Sequence, residues 1–346
     1  MVKYYDIHGL LGMEWYDPLF SVVPDFACKY HYFERPAPPE RCPVVLEIHS
    51  GAPPAERTRE LARASERFEV ADRIFASEFQ HGRMRWKAWV ADLETDRVKI
   101  WYDFPWYHRL QWPWPCFPDY MIGFQVIEPL IEYKLQERGT LVLHAGAFEL
   151  DGRVVLLSGR GGVHKTTCLM EALKRGGRYF ADDLVILKDR VLHPYPLCDT
   201  FFDYFYLHEA TEQINRKSMF GAFLHVRRGR KISFPVASPA PVTEMRLILG
   251  HREAGGALTA SALSPVEFLE RVCAVDKLER LSLVDEEEAT GRFMLQFNQV
   301  YGNDCWNNYW RRHLELLTEN LTGVPGKVIF SDEFREDDTA ASGRKS

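Results

Sequence analysis

Between Val154 and Thr167 the chain reads VVLLSGRGGVHKTT, a short apolar run followed by a glycine-rich octet. The octet comprises Gly159, Arg160, Gly161, Gly162, Val163, His164, Lys165 and Thr166. Val154 to Ser158 has the character of a buried strand, and a helix-like stretch runs from Thr167 to Lys174. A strand, a glycine-rich loop and a helix in that order make a phosphate cradle. Glycines let successive N–H groups turn inward as a nest, and the helix N-terminus adds partial positive charge where phosphate would sit. In such a loop Lys165 reaches the outer phosphates and the Thr166 hydroxyl ligates Mg²⁺. The loop therefore predicts a nucleotide polyphosphate with Mg²⁺, residues 159–167, Thr167 included, being the nucleotide contacts.

One residue departs from the pattern G-x-x-x-x-G-K-[ST]: His164 stands at its sixth position, where glycine is usual. Residues other than glycine are uncommon at positive φ, although histidine is among the better tolerated. The sequence thus predicts either a reshaped loop or a His164 in an ordinary backbone region with its ring turned to some use.

Three other groups near the loop carry chemistry. His144 lies on a strand-like run upstream, Asp182-Asp183 ends the next strand-like run downstream, and Arg227, Arg228, Arg230 and Lys231 form a basic cluster. Phosphoryl transfer needs a divalent ion to bridge phosphate oxygens and a carboxylate to orient or deprotonate the attacking hydroxyl. Adjacent residues on a strand point to opposite faces, but at a strand end the chain can turn so that both acids reach one site. Arginine favours bidentate phosphate contacts, so the cluster could hold nucleotide or an acidic substrate segment, with one or two members on phosphate, Arg228 assigned to nucleotide, and most of the others on a solvated face.

Leu141 to Leu150 reads as a strand, Asp151-Gly152 as a hairpin turn, and the apolar run before the loop as its antiparallel partner. An ordinary phosphate-loop enzyme would have a parallel βαβ unit there. Upstream, Ile122, Val126, Ile127, Leu130, Ile131 and Leu135 recur at helical spacing, ended by Glu137-Arg138-Gly139, with Pro129 marking a kink or a new first turn. Downstream, Leu184–Leu187 and Val191-Leu192 suggest a hairpin, Met245 to Gly250 the last core strand, and 265–320 a mainly helical part opened by Ser264-Pro265.

Residues 1–120 read as a β-rich N-terminal domain. Cys42 to His49 is strand-like, and residues 83–92 and 97–102 form a hairpin. The aromatic and proline-dense stretch 106–118 is too rich in proline for a helix and reads as rings packing a connection, with a peptide platform as the lesser alternative. Residues 121–334 read as a nucleotide-binding catalytic domain with C-terminal helices, and 335–346 as a disordered tail.

The 346 residues allow two domains or one large core, and 46% hydrophobic residues suffice for a packed interior. A net charge of −6 argues against a broad nonspecific nucleic-acid surface and leaves room for a local basic patch. The seven cysteines show no C-x-x-C pair, which argues against a zinc site or a disulfide framework. No apolar run reaches membrane-spanning length, and the N-terminus lacks a leader-like core, so a cytoplasmic protein with no membrane partner is expected.

Taken together, His144, the loop from Gly159 to Thr166, and Asp182-Asp183 resemble the catalytic domain of HPr kinase/phosphorylase and its relatives, which share a fold with phosphoenolpyruvate carboxykinase. The resemblance covers about residues 121–250. It implies an α/β phosphate-loop core with a mixed sheet, Asp182 as base, Asp183 as metal partner, His144 tuning or positioning that carboxylate, and Lys165 acting on the phosphates. The docking and phosphorylase signature of the bifunctional enzyme is not recognisable, so regulation of sugar transport is not implied. Relatives without it include kinases that tailor ribosomally made peptides such as lasso peptides. The resemblance therefore implies an ATP-dependent kinase acting on a Ser or Thr of a peptide or protein, and it leaves a homo-oligomer open. A small-molecule hydroxyl kinase and a non-catalytic nucleotide-binding regulatory module are the alternatives. The octet is also similar to the G-K-G-G-V-G-K-T-T loop of the ArsA and MinD ATPases, but Arg160 stands where those proteins carry their signature lysine.

Overall fold

The structure, a computed structural model, describes residues 2–16, 30–65, 68–71, 73–81, 84–103, 122–197, 232–250, 263–282 and 305–330. The aromatic and proline-rich stretch 106–118, the basic cluster with Arg228, and the tail 335–346 lie outside the described residues. What is described is a mixed α/β architecture with two mixed sheets and few helices.

The first sheet is built from β1 (Val2–Ile7), β2 (Leu11–Tyr16), β3 (Glu34–Arg35), β4 (Val45–Ser50), β5 (Ala62–Ser65), β6 (Phe68–Ala71), β7 (Ile74–His81), β8 (Met84–Ala91) and β9 (Arg97–Asp103). Their spatial order is β3-β1-β2-β4-β9-β8-β7-β6-β5. β4 runs parallel to both β2 and β9, and the other pairs are antiparallel. The expected hairpin is β8 and β9. Its alternation is physical: Trp86, Ala88 and Val90 enter the main core, while Trp89 and Ala91 join Ile74, Ala76 and Trp101 on the opposite face.

The second sheet contains β10 (Leu141–Leu150), β11 (Arg153–Gly159), β12 (Arg178–Ala181), β13 (Leu184–Lys188), β14 (Val191–His193), β15 (Ala240–Pro241), β16 (Glu244–Leu249) and β17 (Gly326–Phe330). The main path is β15-β14-β13-β10-β11-β16-β17, and β12 also pairs with β10. As expected, β10 and β11 are antiparallel, joined by Asp151 (φ 53°) and Gly152 (φ 72°), two left-handed residues that suit a tight hairpin turn. β11, β16 and β17 run parallel. Met245 to Gly250 is not the last core strand: β17, short and following a helix, extends the sheet, with Val328 and Phe330 buried.

Among the described residues, four helices accompany the second sheet: α1 (Glu128–Glu137), α2 (Lys165–Lys174), α3 (Pro265–Ser282) and α4 (Cys305–Leu321). Pro129 stands in the first turn of α1, and a π turn at Gly123–Ile127 runs directly into that turn. α2 starts two residues earlier than the sequence suggested, at Lys165 itself. Ser264 and Glu267 form a reciprocal capping box at the start of α3, with Ser264 N–H donating to Glu267 and Glu267 N–H to Ser264 Oγ.

β11 shows how the sheet is enclosed. Val154 and Leu156 point into the large cluster shared with α1, α3, α4 and the first sheet, while Val155 and Leu157 point into a smaller cluster beneath α2 with Leu169, Met170 and Leu173. A strand covered on both faces reads as a continuous apolar run, which is why it was conspicuous in the sequence. The large cluster is continuous from Tyr5 and Leu46 through Leu130 and Leu135 to Leu143 and Val185. Lys134 reinforces the junction from α1 by donating to Leu93 O at 2.9 Å, and Arg138 pairs with Asp96.

Candidate functional site

The loop leaves the sheet at the C-terminal end of β11. Gly159 is required there by close approach: a Cβ on it would lie 2.6 Å from Ile248 O and 2.8 Å from Val163 Cγ2. Val163 is buried and anchors the loop beneath α2, while Arg160, Gly161, Gly162 and His164 are exposed. Lys165 is only 6% exposed, and its Nζ donates to Gly159 O at 2.7 Å and Arg160 O at 3.0 Å. Thr166 and Thr167 follow on the exposed first turn of α2.

His164 follows neither of the two expectations. It occupies the left-handed region itself, at φ 67° and ψ 23°, directly after Gly162 at φ 78° and Val163. The loop thus takes the backbone conformation that glycine would have supplied, at some conformational cost, and the histidine ring lies exposed.

The acid pair is placed by an interruption in the sheet. One edge of β10 pairs with β13 over Leu141–His144 and with β12 over Ala147–Glu149, and Asp182-Asp183 is the link between those two strands. The link sits directly against His144, Ala145 and Gly146. Ala145 N–H donates to Asp183 O at 2.9 Å, and a Cβ on Gly146 would stand 3.3 Å from Asp182 O. From this position Asp183 brings Oδ1 to 3.9 Å from His144 Nε2, beyond a direct hydrogen bond but within an ion-pair distance. The Asp183 side chain is 65% exposed, whereas Asp182 is half-buried.

Burial lowers the pKa of His144, and the charge of Lys165 lowers it further, against the opposing pull of Asp183, Asp276 and Glu279. His144 is therefore neutral at neutral pH. Burial also lowers the pKa of Lys165, while Glu279, Asp183, Asp182 and Asp276 act to raise it. The lysine, the histidine and four carboxylates thus share one electrostatic neighbourhood. Arg228 cannot be placed, since it lies outside the described residues.

Two of those carboxylates come from α3 and were not singled out in the sequence. Asp276 Oδ1 accepts the His144 backbone N–H at 3.0 Å, and its Oδ2 faces Nε2 of His313 on α4 at 3.0 Å. Glu279, one turn further on, lies against the loop: a Cβ on Gly161 would be 2.8 Å from its Oε1, and Arg160 Nε is 3.7 Å from its Oε2. A signal for Asp276 did exist. Phe268, Leu269, Val272 and Cys273 form the buried stripe of α3, and Asp276 continues it at the spacing i+3 and i+4. His313 likewise falls on the stripe of Tyr309, Trp310, Leu316 and Leu317.

Among the described residues no group of three or more His, Cys, Asp or Glu side chains is arranged to hold a metal ion by itself. Mg²⁺ keeps several waters and takes one or two carboxylates together with substrate phosphates, and Asp183 and the Thr166 hydroxyl are the exposed oxygen donors beside the loop. The fit to a polyphosphate rests on the exposed glycine loop, the N-terminus of α2 and the buried lysine at its base. No protein-family model matches the chain, and no curated protein matches it significantly. No helix among the described residues is long and apolar enough to cross a membrane.

Proposed function

We propose that the chain is an ATP-dependent, Mg²⁺-requiring kinase of the HPr kinase type, with a phosphoenolpyruvate carboxykinase-like core, that phosphorylates a Ser or Thr hydroxyl of a peptide or protein. The observation that carries the reading is the approach of His144 to Asp183 at 3.9 Å, beside a glycine-rich loop whose lysine senses both acids of the pair.

Bound Mg-ATP supplies the phosphoryl group and the ion that neutralises charge as it is transferred. The loop N–H groups and Lys165 hold the phosphates. Thr166 and Asp183 would hold the ion, the latter favoured by its exposure. Asp182 takes the proton of the acceptor hydroxyl, and His144, being neutral, stands beside Asp183 without competing with the metal for its carboxylate. Because the link between β12 and β13 carries both acids, one backbone feature sets the distance from phosphate to acceptor.

The test is transfer of label from γ-labelled ATP, with Mg²⁺, to candidate Ser- or Thr-containing peptides. Label on peptide supports the reading, label only in water or a small metabolite removes the peptide acceptor, and failure to bind millimolar ATP removes the nucleotide site altogether. Asp182→Asn is expected to abolish transfer while largely sparing ATP binding, and Lys165→Ala to weaken both. Full activity in either variant refutes the role assigned to that residue.

A further inference from the structure

Helix α3 brings a carboxylate to a place where a phosphate cradle should find it a hindrance. Glu279 stands beside Gly161, where a Cβ would meet its Oε1 at 2.8 Å, sits 3.7 Å from Arg160 Nε, and is only 13% exposed in its side chain. It also lies in the last turn of α3, where the helix dipole disfavours a negative charge. Cations of the loop hold it there: Arg160 directly, and Lys165 through space, since Glu279 is the foremost of the charges acting on that lysine. A polyphosphate seated on the loop would call on the same two cations and face the same carboxylate.

We propose that Glu279 makes the loop discriminate between the metal complex of a nucleoside triphosphate and the metal-free anion. This rests on the reading of the loop as a nucleotide site. Like charges at such separation repel, and the penalty grows with the negative charge of the ligand. A divalent ion bound to the triphosphate would cancel two of its roughly four negative charges, so the metal complex would enter at lower cost and Arg160 would pass from Glu279 to phosphate. The carboxylate thereby excludes the form that cannot react, without being a ligand of the ion.

The experiment compares ATP binding by calorimetry with Mg²⁺ and with excess chelator, for the full chain, for Glu279→Gln, and for Glu270→Gln. Glu270 is an exposed residue of the same helix and controls for a general change of charge. Glutamine keeps the shape of the side chain, so the fold should stand. Expected is metal-free binding tightened about five-fold or more in Glu279→Gln, from roughly the interaction of two charges 4 Å apart in water. Mg-ATP binding should stay within about two-fold, and Glu270→Gln should match the parent in both arms. Unchanged metal-free binding in Glu279→Gln overturns the proposal while leaving the nucleotide site standing. Loss of Mg-ATP affinity overturns it in favour of Glu279 as a metal ligand. If no variant binds ATP in either arm, the nucleotide site and this proposal fall together.

Discussion

Asp276 accepts the backbone N–H of His144 at 3.0 Å across 132 residues of sequence, while its other carboxylate oxygen faces His313 Nε2 at 3.0 Å in a fully buried pair. The bond has a topological cause. β11 pairs with β10 from Ala145 onward and then turns away at Gly159 into the loop, so the His144 N–H on that side has no strand opposite it. A buried N–H without an acceptor is costly, and α3 supplies the acceptor as a side chain.

Replacing that acceptor should be felt as stability. Asp276→Ala leaves the His144 N–H and the buried His313 ring facing an apolar wall, an expected loss of about 1–3 kcal/mol. Asp276→Asn keeps an oxygen for the N–H and should lose less. Urea denaturation of both variants checks the ordering, and equal losses would show that the His144 contact contributes nothing.

The left-handed backbone at His164 predicts a contrast between two substitutions. His164→Val places a β-branched residue at φ 67° and should destabilise by about 1–2 kcal/mol. His164→Gly relieves the strain and should be neutral or stabilising. The ring is exposed, so packing contributes little to either difference, and thermal denaturation of the pair measures the backbone strain.

A second contrast concerns neighbouring glycines of the loop. In Gly159→Ala the new methyl meets the backbone carbonyl of Ile248 and the Val163 side chain, neither of which can move without disturbing the parallel β11–β16 ladder. A loss of about 1–3 kcal/mol or more follows. In Gly161→Ala the methyl meets only the flexible end of Glu279, so stability should change by less than about 0.5 kcal/mol. Denaturation midpoints of the two variants decide it.

Acid sensitivity is expected where the two sheets meet. The turn after β1 carries His8, whose Nε2 donates to Pro194 O at 2.5 Å and whose ring lies 5.2 Å from that of His193. Burial lowers both pKa values, that of His193 to about 4, with the charge of His8 lowering His193 further. With folded pKa values below the unfolded 6.5, the unfolded chain binds more protons in the interval between them. Stability is complete above about pH 6.5 and falls as the pH drops toward 4, by at most about 1.4 kcal/mol per pH unit for each histidine. His193→Asn should flatten the fall in urea midpoint between pH 6.5 and 4.5. An unchanged slope would place the acid sensitivity elsewhere.

The elements around the loop were legible because their causes are local. A two-sided strand is an unbroken apolar run, as at Val154 to Leu157, and Asp151-Gly152 has little choice but a tight turn. The loop's glycines and lysine carry their chemistry in their own backbone and side chain. β17 was missed because five residues after a helix carry too little pattern to identify a strand, and the parallel ladder with β16 is what holds them in place.

By its sequence alone the chain determined a strand, a glycine-rich loop and a helix, an antiparallel pair before them, an acid pair after them, and a β-rich N-terminal part. Only the tertiary structure decided that Asp183 faces His144, that His164 accepts a glycine's conformation, and that Asp276 and Glu279 reach the site from α3. The physical reason is that local propensity sets elements over a few residues. The partner of a stranded N–H or of a loop arginine is whichever group the packing of distant helices delivers, and no local pattern records that delivery.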